Sequence, residues 1–550
     1  VAPPDTNEVF RATPFVCGYV GPGDTALWAR LRAAAPVELT AEASGPHHAV
    51  AASTAPLLDR SASAWTWGRY VIDRRRPADW RDAAHELGLA GLWASADGAR
   101  LHTDLSGLHD VFHRSIGGTT YFATRIAPLR DLAPGLDTDW DGWGTSLAFG
   151  GFIGTATPFR QVHRLPYGGS ITADATGIAH HHESPAWLGD EAPAAGIGEV
   201  AAAFRRAVPG PLTRTPHHVT LSGGWDSRLI ALAMVRNRTR RPTAWTVDPD
   251  TGVGHDVEIA RAVAQALRLE HRVVPSGGHS WGRHRPNLLA RVEHLTWMHT
   301  WLGPLASRVR HLSGPVVDGL GGDVLLRNLF TDAALLAAPS RDERLDLQLH
   351  ALGGGRITAR RPLAPALAQR WADAAREQMT ATGDRWSGHP SEYVLRALAV
   401  RTSRVIAPSP MRLFAPEAAV LLPFMDPAVL RTALAVPVAA KTDHTFYRGL
   451  LAALHPRVGP MPSTNDGLPK TPERPRSQTR RSAIAPMVEA VLADEVVLGL
   501  LSAAMIRRLR RGGRTLPDDV PLAALQWAAA LADWRATNRA HLRVDDVPER

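Results

Sequence analysis

Short runs of alternating apolar and polar residues, punctuated by glycine and proline, fill the first third of the chain. Residues 65–72, 99–104 and 119–124 carry the alternation and the aromatic or β-branched content of strands. Residues 139–149 instead space Trp140, Trp143 and Leu147 as a helix does, and 159–171 returns to strand and turn. A compact α+β layer packing is predicted. The polar, proline-containing stretch 180–193 suits a linker, with His180, His181 and His182 solvated.

From about Gly196 the pattern changes. Residues 197–207 read as a helix stopped by Pro209-Gly210-Pro211, 217–221 as a strand, and Ser222-Gly223-Gly224 as a turn. A helix over 226–235, a strand over 242–247, a helix over 256–267 and a strand over 271–274 follow, and 314–318 is a later strand ending in glycines. Strand and helix alternating at this spacing predict a parallel sheet covered on both faces. Beyond Arg341 the pattern is helical. Two domains are expected, 1–190 and 191–550.

Composition narrows the class. With 550 residues, 45% hydrophobic and 21% charged, the chain has ordinary globular usage. Its single cysteine, Cys17, permits no intrachain disulfide and no cysteine-based metal cage. No uncharged apolar run reaches the roughly 18 residues of a membrane span, and the first residues show no secretory pattern. A cytoplasmic setting is the default expectation. The net charge of +9 is spread along an arginine-rich chain, so no nucleic-acid partner is read from it. Only Lys441 and Lys470 are lysines.

The chemistry concentrates in two strings. Residues 219–227 place Ser222-Gly223-Gly224-Trp225-Asp226-Ser227 between a strand and a helix. Two adjacent glycines let backbone N–H groups share a concavity, the helix adds its positive end, and Ser222 and Ser227 can donate to the same anion. An aspartate in an anion site makes sense where a cation such as Mg²⁺ lies between it and phosphates. Residues 316–323, through Gly319-Leu320-Gly321-Gly322-Asp323, repeat the arrangement of strand, glycines and carboxylate. Two carboxylates at neighbouring sheet ends can share one Mg²⁺. No lysine follows a glycine, so a Walker-type phosphate loop is excluded.

The first string resembles the pyrophosphate loop of the ATP pyrophosphatase superfamily. Together the strings resemble the synthetase domain of the class B asparagine synthetase family. Residues 256–261 and the segment Leu422-Pro423-Phe424-Met425-Asp426 are similar to further family segments. Asp104-Leu105-Ser106-Gly107, residues 121–124 and Leu165-Pro166-Tyr167-Gly168 resemble the family's amidotransferase domain. The resemblance implies an N-terminal α+β sandwich of the N-terminal-nucleophile type, then a parallel-sheet ATP pyrophosphatase domain with a helical C-terminal part. It also implies ATP and Mg²⁺ as cofactors. Asp226 and Asp323 would hold the metal, and Leu221, Ser222, Gly223, Gly224, Asp226, Ser227, Gly321 and Gly322 the phosphates. Adenine would lie near Thr246, Val247 and Asp248.

Departures from the family steer the substrate. The glutaminase cysteine has no counterpart at Val1, and Cys17 reads as a buried strand residue. Ammonia release from glutamine is therefore not expected, and the amine must come with the substrate. β-Lactam synthetases carry a tyrosine where this chain has Leu320. The family's catalytic lysine has no match within 454–467, whose Pro462-Ser463-Thr464-Asn465-Asp466 is similar to a stretch of lasso peptide cyclases. Lys470, just beyond, is the candidate catalytic lysine, with a surface loop lysine as the other reading. Lys441 is expected to be structural.

The resemblance thus implies a lasso peptide cyclase. Such an enzyme adenylates an Asp or Glu side chain of a precursor peptide and closes a macrolactam with the peptide's N-terminal amine. A leader-peptide recognition protein and a leader peptidase would be its partners. A small-molecule amide or β-lactam synthetase, or an ammonia-dependent asparagine synthetase, is the alternative.

Other motifs are read as bland. Gly278-His279-Ser280-Trp281-Gly282 fits the nucleophile-elbow pattern, but Pro275 and Pro286 deny it the strand and helix an elbow needs. Trp297, Trp301, His294 and His299 read as a helical run packed in the core, and also as a wall of the acyl pocket.

Overall fold

A computed structural model of the chain describes residues 14–53, 59–60, 63–68, 88–104, 106–184, 188, 194–208, 216–237, 241–248, 255–275, 284–300, 302–309, 311–414, 418–466, 481–512, 521–543 and 548. The first half contains β1 (Val16–Val20), β2 (Ala41–Gly45), β3 (His48–Ala52), β4 (Asp59–Arg60), β5 (Ala64–Gly68), β6 (Leu89–Ala94) and β7 (Gly98–His102). It continues with β8 (Phe112–Ile116), β9 (Thr119–Ala123), β10 (His163–Arg164), β11 (Gly169–Asp174) and β12 (Gly177–His182). They form two antiparallel six-stranded sheets, ordered β10-β8-β9-β1-β3-β2 and β12-β11-β7-β6-β5-β4.

Successive strand residues point to opposite faces, and β1 shows what this does. Val16 and Val20 join Trp65, Trp67, Leu92, Leu101 and Ile171 in the space between the sheets. Cys17 points the other way, into a larger core shared with the helices. Burial pushes its thiol up to about 12, so it is an inert packing residue.

In the second half β13 (His218–Thr220) is central to a parallel sheet ordered β15-β14-β13-β16-β17. Its neighbours are β14 (Thr243–Asp248), β15 (Glu270–Pro275), β16 (Val316–Val317) and β17 (Val420–Leu421). Helix α1 (Ile197–Ala207) starts where Glu199 accepts the Gly196 N–H at 3.0 Å, and it buries Val200, Ala203, Phe204 and Ala207 at helical spacing. Helix α2 (Trp225–Arg236) and α3 (His255–Ala266) follow β13 and β14. No described helix is long and apolar enough to cross a membrane.

The two halves share one apolar interior. Helix Trp140–Phe149 of the first half lies against helix Pro365–Gly383, and Trp527 of helix Leu522–Asn538 donates its indole N–H to Trp143 O at 2.8 Å. The chain's tail also bridges back to the first half at Leu136 and Leu542. Gly144 makes the helix contact possible, because a Cβ there would stand 2.1 Å from the buried Trp371 ring. Gly144→Ala is expected to destabilise the protein by about 1–3 kcal/mol through overpacking, read as a lowered urea midpoint.

Three sequence expectations need correction. His180–His182 is no linker; it ends edge strand β12, paired with β11, and His113 lies against His163 and His180 with ring centroids 5.6 and 5.4 Å apart. Among the described residues no three such side chains are placed to hold a metal ion. Pro286 does not interrupt a helix but occupies the first turn of one, Arg285–Arg291, where its missing N–H is harmless. Trp297, His294 and His299 are buried as expected but are not helical, because Glu293 and His294 take left-handed φ of 52° and 58° and end the helix. Strand β5 is described only to Gly68; residues 69–72, like 278–282 and Trp301, lie outside the described residues.

Candidate active site

The site lies at the carboxyl ends of β13 and β16, where open parallel sheets offer their loops to ligands. After β13 the chain runs through Leu221, Ser222, Gly223 and Gly224 into α2. Gly224 has φ −78° and Gly223 has no left-handed φ, so neither glycine is needed for a turn. Gly223 serves close approach instead: a Cβ would come 2.8 Å from Thr464 and 3.0 Å from the Asp256 carboxylate.

The backbone donors expected to face an anion have protein acceptors here. Gly223 N–H donates to Asp256 at 2.8 Å, Gly224 N–H to the Ser222 hydroxyl at 3.2 Å, and Trp225 N–H to Asn465 Oδ1 at 3.0 Å. The Ser222 and Ser227 hydroxyls lie 3.0 Å apart, bonded to each other rather than aimed at a common acceptor. A loop from far along the chain supplies the Asn465 acceptor and is itself tied to the turn. Ser463 and Thr464 donate to Gly223 O at 2.9 and 3.1 Å, and Arg228 holds the carbonyls of Gly459, Met461 and Pro462.

The second turn locks onto the first. After β16, Asp318 accepts from Thr220 Oγ1 at 2.7 Å and from Leu320 N–H at 3.0 Å. Gly321 has φ +93°, a position that favours glycine, and the short helix Gly322–Leu325 follows. A Cβ on Gly322 would stand 2.5 Å from Asp226 Oδ1, so the two turns are in direct contact.

Asp323 follows Gly322 directly, and its charge reaches Asp226. Burial, and then the Asp323 charge, push the Asp226 carboxyl up to about 7. Tyr447 opposes this by donating its hydroxyl to Asp226 Oδ1 at 2.5 Å, and the Arg327 charge acts in the same sense. Burial also raises Asp318.

The remaining candidates divide. Thr246 is buried and spends its hydroxyl on Leu221 O at 2.6 Å, which ties the end of β14 to the first turn. Val247 is half-buried and packs toward Trp245, Val274 and Leu302. Leu320 is buried among apolar residues. Lys441 is fully buried, and its ammonium donates to Leu325 O and Ala433 O at 3.1 Å each, carbonyls in the last turns of two helices. Burial pushes it down to about 7. Lys470 lies outside the described residues.

Sequence patterns did not single out Tyr447, Arg327, Asp256 or Asn465 as site residues. Asp256 and Asn465 did fall inside quoted family-like segments, which was the available signal.

Interlocked turns that bring two carboxylates together at the ends of a parallel sheet are the framework of a nucleotide-handling α/β enzyme. The chain belongs to the asparagine synthase family, whose model matches residues 199–536. Members of that family are ATP-dependent amide-forming ligases. No curated protein matches the chain.

Proposed function

We propose that the chain is a lasso peptide cyclase, an AMP-forming macrolactam synthetase that uses ATP and Mg²⁺. The observation that carries the ligase chemistry is the Asp226–Asp323 pair beside the Ser-Gly-Gly turn. Two carboxylates crowded enough to raise one of them fit a divalent cation between them. Mg²⁺ suits such a site, because it is held by one or two carboxylates together with substrate phosphates. When bound, it would neutralise charge on the departing pyrophosphate.

Ser222, Gly223, Gly224 and Ser227 would cradle the phosphates by exchanging their present internal hydrogen bonds for phosphate oxygens, with Leu221, Gly321 and Gly322 shaping the walls and Val247 beside adenine. The substrate's side-chain carboxylate attacks the α-phosphorus, and the bond to the β-phosphate oxygen breaks, releasing pyrophosphate. The peptide's own amine then attacks the acyl carbon, AMP leaves, and the amine gives up a proton. Holding both ends of one peptide together supplies effective molarity. Lys470 is the proposed catalytic lysine, Lys441 being committed to helix carbonyls.

Two features favour a peptide over a small molecule. Leu320 provides no phenol for a β-lactam synthetase dyad, and the loop through Ser463, Asn465 and Asp466, similar to that of lasso cyclases, is bonded to the phosphate turn. The enzyme would work in the cytoplasm with a leader-recognition protein and a leader peptidase.

The test is ATP–pyrophosphate exchange with short peptides encoded beside the gene that carry an Asp or Glu near the N-terminus. Peptide-stimulated exchange is expected; exchange stimulated by aspartate and by no peptide overturns the cyclase assignment. Tyr447→Phe should shift the acid limb of the exchange profile to higher pH by about one unit, since the lost hydrogen bond favoured the ionised carboxylate. An unmoved limb would show that Asp226 does not govern it.

A further inference from the structure

Arg401 lies within reach of the Asp323 charge, beside the second turn. Helix Glu392–Ala397 passes into a π-helical segment, Leu398–Ile406. Such widened turns often occur at functional sites. Thr402 in this segment abuts the second turn, its methyl group 3.4 Å from where a Gly321 Cβ would lie.

The neighbouring Arg401 is half-buried, with its guanidinium 2.9 Å from His299 Nε2 and 5.8 Å from the centre of the Phe330 ring. Its buried Nε has no hydrogen-bond partner among the described residues. Asp323 attracts it and Arg356 repels it. His299 offers no counter-charge, because burial and then these two arginines hold its imidazole far below the usual range. A guanidinium with five donors therefore has one neutral nitrogen as its hydrogen-bond partner and one nearby carboxylate.

We propose that Arg401 binds the carboxylate of the acyl substrate and holds it for attack on the α-phosphate. The inference rests on reading the Asp226–Asp323 cleft as an adenylating site. With Asp323 holding Mg²⁺, its charge would be shared with the ion, and Arg401 would be left as a poorly solvated cation beside the second turn. A planar carboxylate matches its fork in two parallel hydrogen bonds. A phosphate oxygen of ATP is the other oxyanion such a fork could take. The arginine acting on Asp226, beside the phosphate turn, is Arg327; Arg401 acts from the Asp323 flank.

The experiment compares wild type, Arg401→Gln and Arg401→Lys as full-length proteins. Mg·ATP binding is followed by calorimetry, and ATP–pyrophosphate exchange is driven by N-acetyl-aspartate amide or N-acetyl-glutamate amide. Arg401→Gln should raise the KM for the carboxylate about tenfold or more, as expected for a lost charge-assisted bidentate contact. Arg401→Lys should fall between, and Mg·ATP affinity and melting temperature should hold in both variants. Weakened Mg·ATP binding with an unchanged carboxylate KM would place Arg401 on the nucleotide and overturn the proposal, as would no change in either. A wild type that binds Mg·ATP yet shows no exchange with any carboxylate or peptide would overturn the ligase reading as well.

Discussion

Asp226→Asn is expected to abolish amide formation, by about a thousandfold or more, while raising the melting temperature of the metal-free protein above pH 7. The loss of activity follows if the carboxylate holds the magnesium that bridges the triphosphate. The gain in stability follows from the pKa. Unfolded, this carboxyl titrates near 3.9; folded, burial and the Asp323 charge push it up to about 7. Between those values the folded chain binds the proton more tightly than the unfolded chain does. The stability it supplies is therefore present at low pH and lost as pH rises through about 7. Asparagine removes that loss, so the difference between variant and wild type should widen from about pH 5 to pH 8. Added Mg²⁺ should narrow it by stabilising wild type alone. A difference in melting temperature that ignores both pH and Mg²⁺ would show that the two carboxylates do not repel one another.

The largest effect on stability is expected at Asp110. Its carboxylate is 7% exposed and meets Arg164, Arg412 at 2.6 Å and Arg404 at 3.7 Å. These partners arrive from both halves of the protein. The charges of Arg164, Arg412 and Arg404 hold its carboxyl below the usual range despite burial. Asp110→Asn would leave the buried Arg164 and Arg404 short of a counter-charge and Arg412 with Glu293 alone, which typically costs about 3–5 kcal/mol. Glu293 offers no relief, because it already pairs with Arg412 and with Arg125 at 3.8 Å. Denaturant unfolding of the full chain measures this directly. A loss of under about 1 kcal/mol, the range of an exposed pair, would mean that water reaches the cluster. Arg404 lies in the same π-helical segment as Arg401, and Ser403 beside it donates to Ser106 O of the first half at 2.6 Å. The first half thereby braces the segment that carries Arg401.

Local periodicity carried much of the architecture. Helix α1 falls where the spacing of Val200, Ala203, Phe204 and Ala207 puts it, and β13 to β15 lie within two residues of their apolar runs. Where local patterning is weak, the reading failed. The histidines of β12 are mostly exposed, so no alternation marks them as a strand. The left-handed pair Glu293 and His294 carries no glycine to announce the break. The glycine turns and Asp226 and Asp323 were legible because glycine and aspartate are informative next to strands. Tyr447 and Asn465 were not, being brought to the turn from 221 and 240 positions away. Nor does anything adjacent to Lys441 betray that it is spent on helix carbonyls.

The return of the tail to the first half bears on how the molecule is made. Trp143 meets Trp534 at 5.4 Å and Trp527 through a hydrogen bond, so the wall behind the first sheet is completed by residues more than 380 positions later. A growing polypeptide emerging from the ribosome cannot complete that wall until residues 522–538 have been synthesised. The opening half must wait, partly unsealed, while the rest is translated, and contacts this distant in sequence favour slow closure.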